Sequence, residues 1–194
     1  MDVNFAGDEF GSRNWSVNPS FTWKPSSNVS LELGPSFERN IVDAQYVDAL
    51  TNAANTATFG KDYLFAYLDQ STAAASIRVD CAITPALSVQ FYAQPLISSV
   101  RYTDYRTLAR PRSYEFNTFD ATGRSDDFTY RTVRGNAVVR WEYLPGSTLF
   151  AVWTQTRTGF SSDGEFRLHE SLSDVARVKP DDVFLVKVSR HFEL

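Results

Sequence analysis

The chain has 194 residues, a formal net charge of −4 and 43% hydrophobic residues, which bounds it to one domain or part of one and excludes a disordered chain. Its mean hydropathy is −0.29, and its longest unbroken apolar runs, residues 64–68 and 149–153, fall far short of the ~20 residues a membrane-spanning helix needs. The single cysteine, Cys81, excludes an internal disulfide framework and a cysteine-based zinc site, and the scattered basic residues of an acidic chain argue against a nucleic-acid partner.

Along the chain, Met1 is followed by Asp2-Val3-Asn4-Phe5 with no basic start and no apolar run. That is not a secretory signal, so the chain reads as beginning inside a longer protein. Residues 3–6 read as a partial strand. Residues 15–23 place Trp15, Val17, Pro19, Phe21 and Trp23 on one face and Ser16, Asn18, Ser20 and Thr22 on the other. Strict period two is the mark of a strand with one apolar face. A turn at residues 24–28 leads into a strand over 29–39, with Val29, Leu31, Leu33, Pro35 and Phe37 opposite Ser30, Glu32, Gly34, Ser36 and Glu38. Residues 41–62 read as a long polar loop.

A second hairpin begins within 63–72. Ala73, Ala75, Ile77, Val79, Cys81 and Ile83 alternate with Ser76, Arg78 and Asp80; Thr84-Pro85-Ala86 turns; Leu87, Val89, Phe91 and Ala93 alternate with Ser88, Gln90, Tyr92 and Gln94. The phase slips near Pro95, which predicts a bulge or break there. A long loop is expected over 103–127. The third hairpin sets Val133, Gly135, Ala137, Val139, Trp141 and Tyr143 against Arg134, Asn136, Val138, Arg140 and Glu142, and turns at Leu144-Pro145-Gly146. Its return strand, 147–160, has no clear phase because Leu149 to Trp153 is wholly apolar. A polar loop over 161–182 and a last strand over 183–192 complete about eight strands.

Short turns fall at one end and long loops at the other, three times over. The fold class expected is therefore all-β, an antiparallel up-and-down transmembrane β-barrel, with this chain as its C-terminal part. Such barrels have short periplasmic turns, long outer loops, an apolar lipid face edged by aromatics and a polar interior. The aromatics, 14% of the chain, fit that demand. Trp15, Phe21, Trp23, Phe37, Trp141, Tyr143 and Phe192 are the expected girdle, with Phe160 at the outer rim. Glu32, Glu38, Arg78, Asp80, Gln90, Arg134, Arg140 and Glu142 are the expected lumen-lining residues. The competing reading is a soluble barrel or one-sided sheet whose apolar face is a core. In the last strand Phe184, Val186, Val188 and Phe192 are in phase, and a terminal aromatic strand is what barrel assembly machinery reads; here the last residue is Leu194 instead.

Five stretches carry a family resemblance: residues 8–15 (Asp-Glu-Phe-Gly-Ser-Arg-Asn-Trp), 23–27 (Trp-Lys-Pro-Ser-Ser), 33–36 (Leu-Gly-Pro-Ser), 43–47 (Asp-Ala-Gln-Tyr-Val) and 134–148 (Arg-Gly-Asn-Ala-Val-Val-Arg-Trp-Glu-Tyr-Leu-Pro-Gly-Ser-Thr). The chain resembles a bacterial family of unknown function that forms the C-terminal outer-membrane barrel of larger proteins. Those proteins usually carry an N-terminal carbohydrate-binding family 9-like module. The resemblance covers essentially the whole chain and is most specific at 134–160 and 182–189. It implies a bacterial outer-membrane location, lipid and lipopolysaccharide around the barrel, assembly machinery acting on the C-terminal strand, and a glycan as solute. It carries over no catalytic residue.

Of the two histidines, His169 falls in the last long loop and His191 at the end of the last strand, with no partner pattern for acid–base or nucleophilic work. Asp120, Asp126, Asp127, Asp163 and Glu165 supply oxygen ligands without a calcium-loop spacing. The expectation is no catalytic, cofactor or metal site in this segment, and a role in passing or handling a polar solute. The alternatives are a barrel-associated hydrolase of surface glycan or lipid, and a stand-alone eight-stranded surface barrel or adhesin.

Overall fold

The computed structural model describes residues 2–192. They form one antiparallel sheet with ten strands: β1 (Asp2–Gly7), β2 (Arg13–Asn18), β3 (Phe21–Ser26), β4 (Val29–Thr51), β5 (Lys61–Thr84), β6 (Leu87–Leu108), β7 (Phe116–Thr118), β8 (Phe128–Leu144), β9 (Ser147–Ser161) and β10 (Asp181–Ser189). One α-helix, α1 (Leu168–Arg177), lies between β9 and β10. The order across the sheet is β1-β2-β4-β5-β6-β8-β9-β10, with β3 also paired to β4 and β7 to β6. Along that path the strands follow chain order, and the sheet is open, with β1 and β10 as its edges. Among the described residues no helix is long and apolar enough to cross a membrane.

The strand expected over 15–23 is split. β2 and β3 both pair with β4, through Val17↔Phe37 and Phe21↔Leu33, and Pro19-Ser20 interrupts them. Proline has no amide proton for the ladder, so the break falls where the donor is lost. The turns fall at Ser27-Asn28, Pro85-Ala86 and Pro145-Gly146, and they gather at one end. Ala82 donates its amide to Asn28 O, and Glu142 donates its amide to Ala86 O, tying the three together. Gly146 has φ +71°, a backbone that favours glycine.

At the other end the expected loop over 41–62 is mostly strand. β4 runs to Thr51 and β5 starts at Lys61, leaving residues 52–60 as the connection. Two bulges, between Val42 and Gln45 and between Tyr46 and Asp48, shift the phase there. They erase the period-two signal that a flat strand would show. β6 likewise continues to Leu108. No bulge occurs at Pro95: the register with β8 is unbroken, and the pairing with β5 lapses only between Ala74↔Leu96 and Ile77↔Ala93 before resuming in step. The apparent slip comes from apolar Leu96 on the otherwise polar face. The polar loop over 161–182 contains α1, whose N-cap residue Arg167 makes no capping side-chain bond. A start signal for the helix is therefore missing from the sequence.

Most of the buried side chains lie in the half of the sheet remote from the short turns. Ile41, Leu64, Ala66, Leu68, Ile97, Val100 and Val175 are its apolar members, mixed with Ser99, Thr107, Thr129 and Arg131. Elsewhere the sheet has no second layer. Trp23 is 63% exposed and Phe184 75%.

Candidate functional site

Residues directly opposite in an antiparallel ladder share a face, so the register assigns every side chain. One face collects Val3, Val17 and Phe37 across β1, β2 and β4. It continues through Leu33, Ile77, Ala93 and Gly135, and through Leu31, Val79, Phe91, Ala137, Trp153 and Phe184 on β10. Period two therefore survives as an apolar face that reaches all eight positions of the sheet, interrupted on β9 and β10 by Gln155, Arg157 and Asp182. The run over 149–153 resolves in the same way: Leu149, Ala151 and Trp153 pair with Trp141, Val139 and Ala137 on the apolar face, which sends Phe150 and Val152 to the other.

Trp15, Phe21, Trp23, Phe37 and Trp141 lie on the apolar face, as read from sequence. The Trp15 and Phe37 rings meet at 5.3 Å. Trp141 meets Tyr143 at 6.0 Å, and the Tyr143 hydroxyl donates to Ser189 O at 3.2 Å. Phe166 packs edge-on against Phe37 at 5.7 Å. Two expectations need correction. Phe160 pairs with Tyr130 and so stands on the opposite face, stacked on Phe128 at 5.7 Å. Phe192 lies beyond the end of β10, under the Arg190 guanidinium at 4.9 Å. Leu194 lies outside the described residues.

The other face carries all eight residues expected to line a lumen. Glu32 opposes Arg78, which opposes Tyr92, which opposes Asn136. Asp80 opposes Gln90 one step nearer the turns. Arg78 Nε donates to Asp80 Oδ2 at 2.9 Å. Arg140 lies 3.7 Å from Glu142, which also accepts the Gly146 amide. Glu38 accepts from Asn14 Nδ2 at 2.5 Å. Arg134 sits between Gln94 and Thr156 on its neighbouring strands. Among the described residues it makes no ion pair, so its charge is carried to the surface uncompensated by contact. Arg78, Gln90, Tyr92, Asn136 and Val138 line a recess of about 240 Å³. Tyr92 and Asn136 were not singled out from sequence; alternation already placed both on this face, and only the cross-strand register reveals that they meet Arg78.

Nearer the long connections the strands carry a second set of contacts. Arg106 Nη2 donates to both Asp43 Oδ2 and Asp43 O at 2.5 Å and lies over the Phe116 ring at 4.4 Å. The Tyr114 hydroxyl donates to the same Asp43 oxygen at 2.7 Å. Burial, reinforced by the Asp43 carboxylate, pushes the Tyr114 phenol up to about 12. The loop acids order backbone: Asp120 accepts the Thr122 amide and hydroxyl, which holds it below the usual carboxylate value. Asp126 pairs with Arg124 at 2.6 Å, and Asp127 accepts the Tyr102 amide. Asp163 and Glu165 lie on the segment that crosses the wall: their carbonyls accept from Thr129 Oγ1 and Ser99 Oγ. Among the described residues no three His, Cys, Asp or Glu side chains converge as metal ligands. His169 is exposed in the first turn of α1 rather than in an irregular loop. His191 sits at the short-turn end, its amide donating to Ser147 Oγ at 3.0 Å.

The molecule is therefore an open antiparallel sheet with one apolar and one polar face. The chain belongs to the family described as Domain of unknown function (DUF5916), whose model matches residues 3–193. No curated protein and no solved structure matches it.

Proposed function

We propose that the chain is a wall segment of a bacterial outer-membrane β-barrel, with its apolar face toward lipid and its polar face toward a water-filled lumen that handles a polar solute. The observation that carries this is the apolar surface itself. It crosses eight strand positions with no layer over its turn-side half, and it is bordered there by Trp23, Trp141 and Tyr143. A bare apolar surface of that extent in water is an aggregation hazard; in a bilayer it is the requirement. The apolar stretch of β4, Val29 to Phe37, rises about 30 Å along the strand at ~3.3 Å per residue, or about 21 Å at a ~45° tilt. That is close to the ~25 Å apolar band of such barrels.

The edges bear on the same reading. β1 and β10 each pair on one side only, and unpaired backbone groups cannot stay so in hydrocarbon. Closure therefore calls on further strands. The solute class follows from the recess around Arg78: Gln90 and Asn136 offer amide donors and acceptors, and Tyr92 offers a ring face, a set suited to hydroxyl-rich solutes. A glycan is the solute we favour, in keeping with the family resemblance to barrels joined to carbohydrate-binding modules.

The test is expression with its native flanking sequence, followed by membrane fractionation. A barrel is detergent-dependent and shifts its gel mobility on boiling. A monomer soluble without detergent refutes the reading. Reconstituted in a planar bilayer, Arg134→Glu shifts ion selectivity toward cations; unchanged selectivity and an unchanged effect of added oligosaccharide in Tyr92→Ala would remove the solute from this face.

A further inference from the structure

The apolar face does not run the length of the wall. Above Phe37 the same face turns polar: Arg39, Ser71, Ser99, Thr129 and Ser161 form one cross-strand row, and Ile41, Asp69 and Arg101 the next. Arg39 pairs with Asp69 at 2.7 Å. β4, β5 and β6 have 23, 24 and 22 residues, at least twice the ~9–11 a crossing requires. The wall thus has two storeys, and the segment between β9 and β10 lies across their boundary. It crosses from Phe166 on Phe37 to Asp174 on Arg131, where the pair closes to 2.6 Å, and Arg157 holds the end of the helix through the Ala176 and Val178 carbonyls.

On α1, Ser171 and Val175 are buried against the wall, while Leu168 and Leu172, one turn apart, are 48% and 38% exposed. These two leucines roof a groove of about 450 Å³ whose floor is Val17, Pro35, Phe37, Ala73, Ala75 and Ile97. Ser36, Ala74 and Leu96, from the other face by register, also border it; the six side chains named belong to the apolar face, so the groove is continuous below with the surface we assign to lipid. One ladder step beyond Phe37 and Ala73 lie Arg39 and Ser71, with Arg39 paired to Asp69. An apolar slot open downward to hydrocarbon, with charge one ladder step above it, has the polarity gradient of a lipid, with the chain below and the headgroup at the rim.

We propose that α1 lies at the membrane surface and that the groove beneath Leu168 and Leu172 seats an acyl chain of an outer-leaflet lipid. This rests on the barrel reading, and the experiment separates the two. In a Cys81→Ala background, single cysteines Leu33→Cys, Leu172→Cys and Ser162→Cys are labelled with a bimane fluorophore. The barrel is reconstituted in phosphatidylethanolamine–phosphatidylglycerol vesicles containing phosphatidylcholine spin-labelled either near the headgroup or near the chain end. The expected pattern is loss of emission at Leu33→Cys with the deep label, loss at Leu172→Cys with the shallow label, and no loss at Ser162→Cys. Adding Ala75→Phe, which fills the groove without itself quenching the fluorophore, restores emission at Leu172→Cys and leaves Leu33→Cys quenched. Quenching at Leu33→Cys without any at Leu172→Cys overturns the lipid seat and leaves the barrel intact. Quenching at Leu172→Cys that Ala75→Phe does not change overturns the seat as well, since the helix then meets only bulk lipid. An unquenched Leu33→Cys overturns the barrel reading and this one with it. If Leu172→Cys does not assemble, Leu168→Cys takes its place.

Discussion

The clamp that holds α1 on the wall is the sharpest point at which to perturb this structure. Arg131 Nη1 donates to Asp174 Oδ2 at 2.6 Å and Nη2 to Ser161 Oγ at 2.5 Å. Its side chain is only 9% exposed, while that of Asp174 is 54% exposed. Two unit charges about 4 Å apart attract by about 4 kcal/mol at an effective dielectric constant of about 20. Water reaches Asp174, and it recovers hydration once released, so the net contribution falls to about 1–2 kcal/mol. Asp174→Ala leaves Arg131 covered with one neutral partner, and the helix then opens more often by that amount. Amide hydrogen exchange in residues 168–177 accelerates about 5–30-fold, and trypsin cleaves sooner after Arg177. Exchange in β5 and β6 stays unchanged, because the opening is local. Arg131→Met removes the charge from the other side, and the double variant should lose less than the sum of the two singles. If Asp174→Ala folds and its α1 amides exchange at the original rate, the ion pair does not hold the helix and the account of the clamp is wrong.

Other expectations follow from the same geometry. A Cβ at Gly164 would collide with the Val100 carbonyl and approach Asp127 Cβ at 3.1 Å, so Gly164→Ala should loosen the segment before α1 by about 1–3 kcal/mol, read as faster exchange in residues 162–166. Leu33→Arg, on the apolar face, should cost about 2–4 kcal/mol of barrel stability in lipid while Gln90→Arg, on the polar face, costs little; equal costs in urea-dependent unfolding would contradict the assignment of faces. The Tyr114 phenol is raised from 10.0 to about 12, so its contribution to loop order is fully present below pH 10 and is lost as pH rises through about 12. Burial and the Asp126 carboxylate push the Tyr105 phenol up to about 12 as well, so phenolate absorbance should titrate late for both residues, and Tyr114→Phe should remove one of the two late phenols and leave the other.

Period two predicted the two faces and the strand nature of the last segment, because alternation over residues 29–37, 73–83 and 133–143 is broken only by Ala74, Ala82 and Val138, and the turn residues between the strands marked the three short turns. It assigned all eight polar-face residues for the same reason. What it missed has physical causes that leave little trace in a sequence. The extension of β4 to Thr51 was hidden by two bulges, each of which reverses the phase. α1 was hidden because Arg167 offers no cap and its leucines face a groove rather than a core. Phe160 was misassigned because an all-apolar run has no phase until a partner strand supplies one. The recess around Arg78 was only half legible: alternation placed Tyr92 beside Gln90 in sequence and on the same face, but their meeting with Asn136 depends on a register between strands over 40 residues apart.

The two storeys explain why the chain's charges look scattered in sequence and ordered in space. Below the boundary most charge lies on one face, where Arg78–Asp80 and Arg140–Glu142 pair within their own strands, with Arg157 and Asp182 on the apolar face near the β10 edge. Such pairing keeps the surface hydrated without committing it to one sign, and Arg134, Glu32 and Glu38 carry charge on this face outside any ion pair among the described residues. Above the boundary charge appears on both faces and its partners come from other elements: Arg39 on β4 with Asp69 on β5, Arg106 on β6 with Asp43 on β4, Arg131 on β8 with Asp174 on α1. The first two pairs join strand to strand, and the third fixes the long β9–β10 connection onto the wall. On the proposed barrel reading, a pair on the polar face tunes what that face attracts, whereas an upper pair sets the shape of the rim. Substitutions in the first group should therefore alter solute handling at constant stability, and substitutions in the second should alter loop order first and solute handling only through it.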